Sequence, residues 1–105
     1  MDALPVTEHE ITINESTTFY LAAGPESGSL LIFVHGWPGI AETWKPQLNA
    51  FAALGFRVVA PDMRGYGRST VSRDIRDYSL EVLVSDLLGL LAHLQREEAI
   101  WIGHD

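Results

Sequence analysis

The rhythm of polar and apolar positions changes near residue 30. Before it, residues 8–22 alternate. Ile11 and Ile13 are interleaved with threonine and glutamate, Asn14-Glu15-Ser16 supplies a polar turn, and a β-prone run resumes over residues 17–22. This pattern predicts a β-hairpin. Gly24-Pro25-Glu26-Ser27-Gly28-Ser29 follows as a loop,. The run Leu30-Leu31-Ile32-Phe33-Val34 is continuously apolar, as expected of a strand buried on both faces of a parallel sheet. Trp44, Leu48, Phe51 and Leu54 then recur at helical spacing, with Gly55 as the stop and Pro46 tolerable only in the first turn,. Residues 56–60 read as a second buried strand ended by Pro61, and the glycine-rich, charged residues 62–78 as a loop.

A second helix is predicted to start at Ser79, a good N-cap, with Glu81 placed where a carboxylate suits the helix dipole,. Leu80, Leu83, Leu87, Leu90, Leu91 and Leu94 form its apolar stripe, widened by Val84 and Leu88, so the helix is expected to pack tightly on the sheet. Arg96-Glu97-Glu98 is a solvated connection, and residues 99–102 are the third parallel strand. A hairpin followed by strand, helix, strand, helix, strand specifies an α/β layer architecture with right-handed crossovers.

Composition narrows the function. With 105 residues, 47% of them hydrophobic and 20% charged, the chain can bury a core,. Fourteen acidic residues against seven basic ones give a formal charge of −7, which excludes a basic track for nucleic acid. With no cysteine there is no disulfide, no thiol nucleophile and no Cys-built zinc site,. Four scattered histidines make no metal site, His9 and His93 reading as surface residues, and no cofactor is implied. The first residues lack the basic and apolar regions of a signal peptide, and no apolar run is long enough to cross a bilayer,. A cytoplasmic location without membrane association is the expectation.

In open α/β sheets chemistry gathers at the carboxyl ends of the strands. Three such ends are visible: His35-Gly36-Trp37-Pro38-Gly39, the segment from Pro61-Asp62-Met63-Arg64 to Ser69, and Gly103-His104-Asp105. Gly103-x-Asp105 after a strand is the first half of a nucleophile elbow, the glycine being expected because the sharp turn leaves no room for a side chain. The glycine turn after the first parallel strand can aim a backbone N–H, that of Trp37, at a developing oxyanion. The competing reading of that turn is purely structural, with a buried indole. A Rossmann module is disfavoured: Gly36-Trp37-Pro38-Gly39 is not G-x-G-x-x-G, and Trp-Pro would block approach of a pyrophosphate,.

Taken in order, His35-Gly36-Trp37-Pro38-Gly39, Pro61-Asp62-x-Arg64-Gly65-Tyr66-Gly67-x-Ser69, Tyr78-Ser79-Leu80 and Ile102-Gly103-His104-Asp105 resemble the α/β-hydrolase fold, in its epoxide hydrolase and haloalkane or haloacid dehalogenase branch. The resemblance runs from about residue 30 to residue 105. It implies Asp105 as nucleophile, the Trp37 N–H as one oxyanion donor, a pocket wall at Trp37 and Pro38, and a cis bond between those two residues. His35, Gly36, Gly103, His104, Asp62 and Arg64 are then structural neighbours of the site, with Asp62 and Arg64 tying the long loop to strand ends and Gly65 and Gly67 serving turns. His104 should point away from the nucleophile.

An aspartate nucleophile has a chemical meaning. Attack by a carboxylate on an sp3 carbon leaves an ester that water can open at its carbonyl, whereas a serine would leave an inert ether. Small epoxides opened to diols are therefore the favoured substrates, with haloalkane or haloacetate dehalogenation as the alternative and a non-catalytic binding protein of the same fold below both. Haloalkane dehalogenases usually carry Asn where Trp37 stands, and residue 106 would separate the cases, Trp favouring an epoxide and Arg a haloacid. The resemblance places the base histidine, its acid and the lid beyond Asp105. Residues 1–105 are accordingly expected to be the N-terminal part of one domain, inactive and poorly folded alone. A second polypeptide, continuing the fold from about residue 106, is the expected partner.

Overall fold

The computed structural model describes residues 5–13 and 15–104. Its sheet is built from β1 (Thr7–Ile13), β2 (Ser16–Ala23), β3 (Leu30–Val34), β4 (Arg57–Pro61) and β5 (Ile100–Gly103), in the order β1-β2-β4-β3-β5. The hairpin closes at Ile13↔Ser16, with Glu15 in the left-handed region at φ 68°, and β2 then pairs antiparallel with β4. β3 pairs in parallel with both β4 and β5. The sheet is thus mixed, with its parallel strands at β4, β3 and β5.

The all-apolar β3 and the mostly apolar β4, which opens on Arg57, lie inside the sheet because both their faces are covered. Helix α1 (Lys45–Ala53) buries Leu48 and Ala52 against Phe33, Leu31, Val58 and Ala60 on one face. Helix α2 (Leu80–His93) buries Leu90 and Leu91 against Ile32, Val59, Tyr20 and Ile11 on the other. Burying a Val, Leu, Ile or Phe side chain fully contributes about 1.5–3 kcal/mol, so Ile32, Phe33, Val58, Val59, Leu48 and Leu90, all essentially inaccessible, hold the layers together.

Several local expectations shift. Pro46 sits in the first turn of α1, and the residues before it form a separate 3-10 helix, Ala41–Trp44, so that Trp44 lies outside the α-helix its spacing predicted. Pro61 is the last residue of β4, paired with Tyr20, rather than its terminator. The loop 62–78 contains a 3-10 helix, Ile75–Tyr78, whose Arg76 N–H is capped by Asp74 at 2.9 Å. Ser79 caps α2 through Val82 N–H at 3.3 Å.

The tight packing expected along all of α2 is found only near its C-terminal end. Leu80, Val84 and Leu88 are 76%, 42% and 56% exposed, because β1, β2, β4 and β3 meet the helix only around Leu90 and Leu91. β5 forms one edge of the sheet, and Ile100 and Trp101 there are 56% and 42% exposed. Among the described residues no helix is long and apolar enough to cross a membrane.

Candidate active site

Parallel register brings the three strand ends together. Val34 of β3 lies opposite Gly103 of β5, and the His104 N–H donates to the Val34 carbonyl at 3.1 Å. After Val34 the chain turns at once, closed by the Gly39 N–H on the Gly36 carbonyl at 2.6 Å, with a cis peptide bond between Trp37 and Pro38. The Trp37 side chain is 78% exposed, so the turn does not exist to bury an indole. The Trp37 backbone N–H has no hydrogen-bond partner among the described residues.

His35 ties this turn to the end of β4. Its ring is buried; Nε2 accepts the Met63 N–H at 3.0 Å, which leaves the proton on Nδ1, 3.1 Å from the Gly36 carbonyl it donates to,. Tyr66 meets the ring edge-on at 4.9 Å. With both nitrogens engaged, His35 has no lone pair free to take a proton from a substrate.

Asp62 is equally committed. Only 3% exposed, it accepts the Ala41 N–H on Oδ1 at 2.7 Å and the Arg68 N–H on Oδ2 at 3.0 Å. Its carbonyl takes the Ser69 hydroxyl at 2.6 Å. The Asp62 carboxylate therefore anchors the start of the 3-10 helix before α1 and folds the 62–78 loop back on itself. Gly67, at φ +52°, makes that possible: a Cβ there would stand 2.2 Å from Asp62 Oδ2. Gly65, at φ +89°, lies similarly under the Tyr78 ring.

Arg64 reaches helix α2 rather than a strand end. Its Nε and Nη2 make a two-pronged ion pair with Asp86 at 2.9 and 2.8 Å, and that hydrogen bonding holds the guanidinium pKa above its ordinary value. The reason is positional, since Asp86 lies two turns past the Ser79 cap on the face that meets the loop,.

Trp44 is the cavity-lining residue that periodicity concealed, because its apolar spacing made it an ordinary helix position. It packs against Phe33 with the rings tilted at 49° and their centroids 5.0 Å apart, and it meets the His104 ring edge-on at 6.4 Å. Its indole N–H is inaccessible and unpartnered among the described residues. With Trp37, Pro38, Gln47, His35 and His104 it walls a mostly apolar cavity of about 290 Å³. No spacing rule separates such a residue from core.

Asp105 lies outside the described residues. A Cβ on Gly103 would meet no atom within 4 Å, so the crowding expected at this glycine has no counterpart among the described residues. Nor do the described residues include a group of three or more His, Asp or Glu side chains able to hold a metal ion.

Residues 29–105 match the model of the alpha/beta hydrolase fold family. The chain belongs to that family. It is 40% identical over 100 residues to an epoxide hydrolase of Caballeronia sordidicola, covering 95% of this chain and 30% of that protein. Epoxide hydrolase A of Mycobacterium tuberculosis is 38% identical over 99 residues, with 94% and 31% covered. The crystal structure of epoxide hydrolase A from Mycobacterium thermoresistibile superposes with a TM-score of 0.91 at 36% identity, over 96% of this chain and 32% of that one. The chain thus spans about a third of the length of these relatives.

Proposed function

We propose that this α/β-hydrolase chain supplies the nucleophile and one oxyanion donor of an enzyme that opens small epoxides to vicinal diols. The observation that carries the reading is the Trp37 turn: a cis Trp37–Pro38 bond, an unpartnered Trp37 N–H and a mostly apolar cavity, all beside the strand end that leads into Asp105. Relatives named epoxide hydrolases at 38–40% identity support the same reaction class.

The chemistry follows in two steps. A carboxylate oxygen of Asp105 attacks a ring carbon, the carbon–oxygen bond of the ring breaks, and the ring oxygen takes a proton from a donor outside this chain. The product is an alkyl ester of Asp105. Water then attacks the ester carbonyl, the oxyanion accepts the Trp37 N–H, and collapse expels the diol and restores the carboxylate. The base for that water, its acid partner and a lid come from polypeptide equivalent to the remaining two thirds of the relatives. The uncovered edge at Ile100 and Trp101 and the exposed side of α2 at Leu80, Val84 and Leu88 suit attachment of that polypeptide, which completes the enzyme, whether as one chain or as a second.

A single turnover of styrene oxide in H2¹⁸O by the intact enzyme tests this. The expected diol carries only ¹⁶O, with ¹⁸O found in the peptide containing Asp105. ¹⁸O in the first-turnover diol would refute the ester, and activity retained in Asp105→Ala would refute the nucleophile.

A further inference from the structure

With fourteen acidic residues for seven basic ones, a cation in this chain has carboxylates to spare. Lys45 pairs with Glu42, Arg64 with Asp86, Arg68 with Glu8 and Arg76 with Asp74. Among the described residues Arg57, Arg73 and Arg96 have no such partner, and Arg57 and Arg96 line one and the same cavity, of about 410 Å³. Like charges brought to one cavity repel each other, and an anion between them turns that repulsion into attraction.

The cavity lies on the α2 face of the sheet, where Leu30 and Arg57 open β3 and β4 and the chain leaves α2. It is separate from the cavity at Trp37. Both guanidinium groups are anchored by loop carbonyls. Arg57 Nη1 donates to Gly24 at 2.7 Å, and Arg96 Nη2 donates to Glu26 and Gly28 at 2.5 and 2.9 Å. These bonds use one nitrogen of each group, and the other N–H donors have no protein acceptor among the described residues. Tyr20 forms a wall, with His9 stacked on its ring at 5.0 Å and 17°. Burial raises the Tyr20 phenol pKa, and Arg57 is near enough to oppose that rise. The Glu26 side chain also lines the cavity, an exposed carboxylate that opposes an anion but is outnumbered by the two arginines.

We propose that this cavity binds a small, multiply charged oxyanion through the free N–H donors of Arg57 and Arg96. The planar guanidinium fork suits phosphate or carboxylate oxygens, and anchoring on loop carbonyls reduces the side-chain entropy lost on binding. The site is independent of the epoxide chemistry proposed for Asp105.

The test is NMR of the intact protein labelled with ¹⁵N-arginine, titrated with inorganic phosphate at constant ionic strength. Expected are saturable shifts at Arg57 and Arg96 with none at Arg73. Removing one charge-assisted contact in Arg57→Gln should weaken binding roughly tenfold or more. Glu26→Gln, whose altered side chain leaves the loop anchors intact, should tighten it. A parallel titration with succinate distinguishes sources: saturation by both means a general oxyanion site, by phosphate alone a tetrahedral one. Shifts that rise linearly, appear equally at Arg73, or are unchanged in both variants would overturn the proposal.

Discussion

The contact between Gly67 and Asp62 makes a quantitative claim about what holds the 62–78 loop. In Gly67→Ala the new residue keeps φ near +52°, in the left-handed region, where a side chain costs about 1 kcal/mol. Its Cβ also starts 2.2 Å from Asp62 Oδ2 and 2.5 Å from Cγ. The carboxylate is short and held at both oxygens, so it can yield only by leaving the Ala41 or Arg68 N–H. A hydrogen bond to a charged group is worth about 1.5–3 kcal/mol, which puts the total penalty of Gly67→Ala at about 2.5–4 kcal/mol. In an Asp62→Ala background those bonds are already gone and the space is open, so the same substitution should cost only the conformational part, about 1 kcal/mol. Equilibrium urea unfolding of the four proteins in the intact enzyme gives the cycle directly. A Gly67→Ala penalty equal in both backgrounds within about 0.5 kcal/mol would show the sites to be independent and refute the account of the loop.

Two other outcomes follow from the same structure. Tyr20 is buried and its pKa lies above the ordinary 10.0, so the folded state disfavours the phenolate. That contribution is fully present below the ordinary value and is lost as pH rises through the raised one; stability measured from about pH 9 to 11.5 should fall less steeply in Tyr20→Phe, and an unchanged profile would contradict the burial argument. Asp86→Ala leaves the Arg64 guanidinium, 13% exposed, without its carboxylate. The expected loss is on the order of 3 kcal/mol, the lower end for a broken buried pair because water still reaches it, and a loss under about 0.5 kcal/mol in thermal or urea unfolding would place the pair among ordinary surface bridges.

Much of the fold was legible from local chemistry. Period-2 alternation marked the hairpin, a continuous apolar run marked β3, a mostly apolar run before Pro61 marked β4, and the Ser79 cap marked the start of α2. These features depend on backbone preferences and on neighbours a few residues away. The site was legible to a similar depth: the strand-end positions of His35, Trp37, Asp62 and His104 followed from the alternation of elements, and the structure does bring them to one end of the parallel strands. The tying roles of Asp62 and His35 were expected from the sequence, but the groups each side chain binds were not legible. Which backbone N–H groups Asp62 holds depends on where Ala41 and Arg68 come to lie, and on how the loop folds back at Gly67. Arg64 found its partner on α2 at Asp86, and Trp44 became a cavity wall only because β3 brings Phe33 to it and the end of β5 brings His104.

The sequence by itself therefore determined which segments are strands and helices, which turns need glycine, and where chemistry can sit. Each of those is settled by short-range sterics, hydrogen bonding and apolar periodicity. Only the tertiary structure decided the order β1-β2-β4-β3-β5, the part of α2 that is covered, and the partners of Asp62, Arg64, Arg57 and Arg96. Those are pairings between residues tens of positions apart, chosen by the packing of layers against one another, and no local pattern encodes which of several acceptable partners lies opposite.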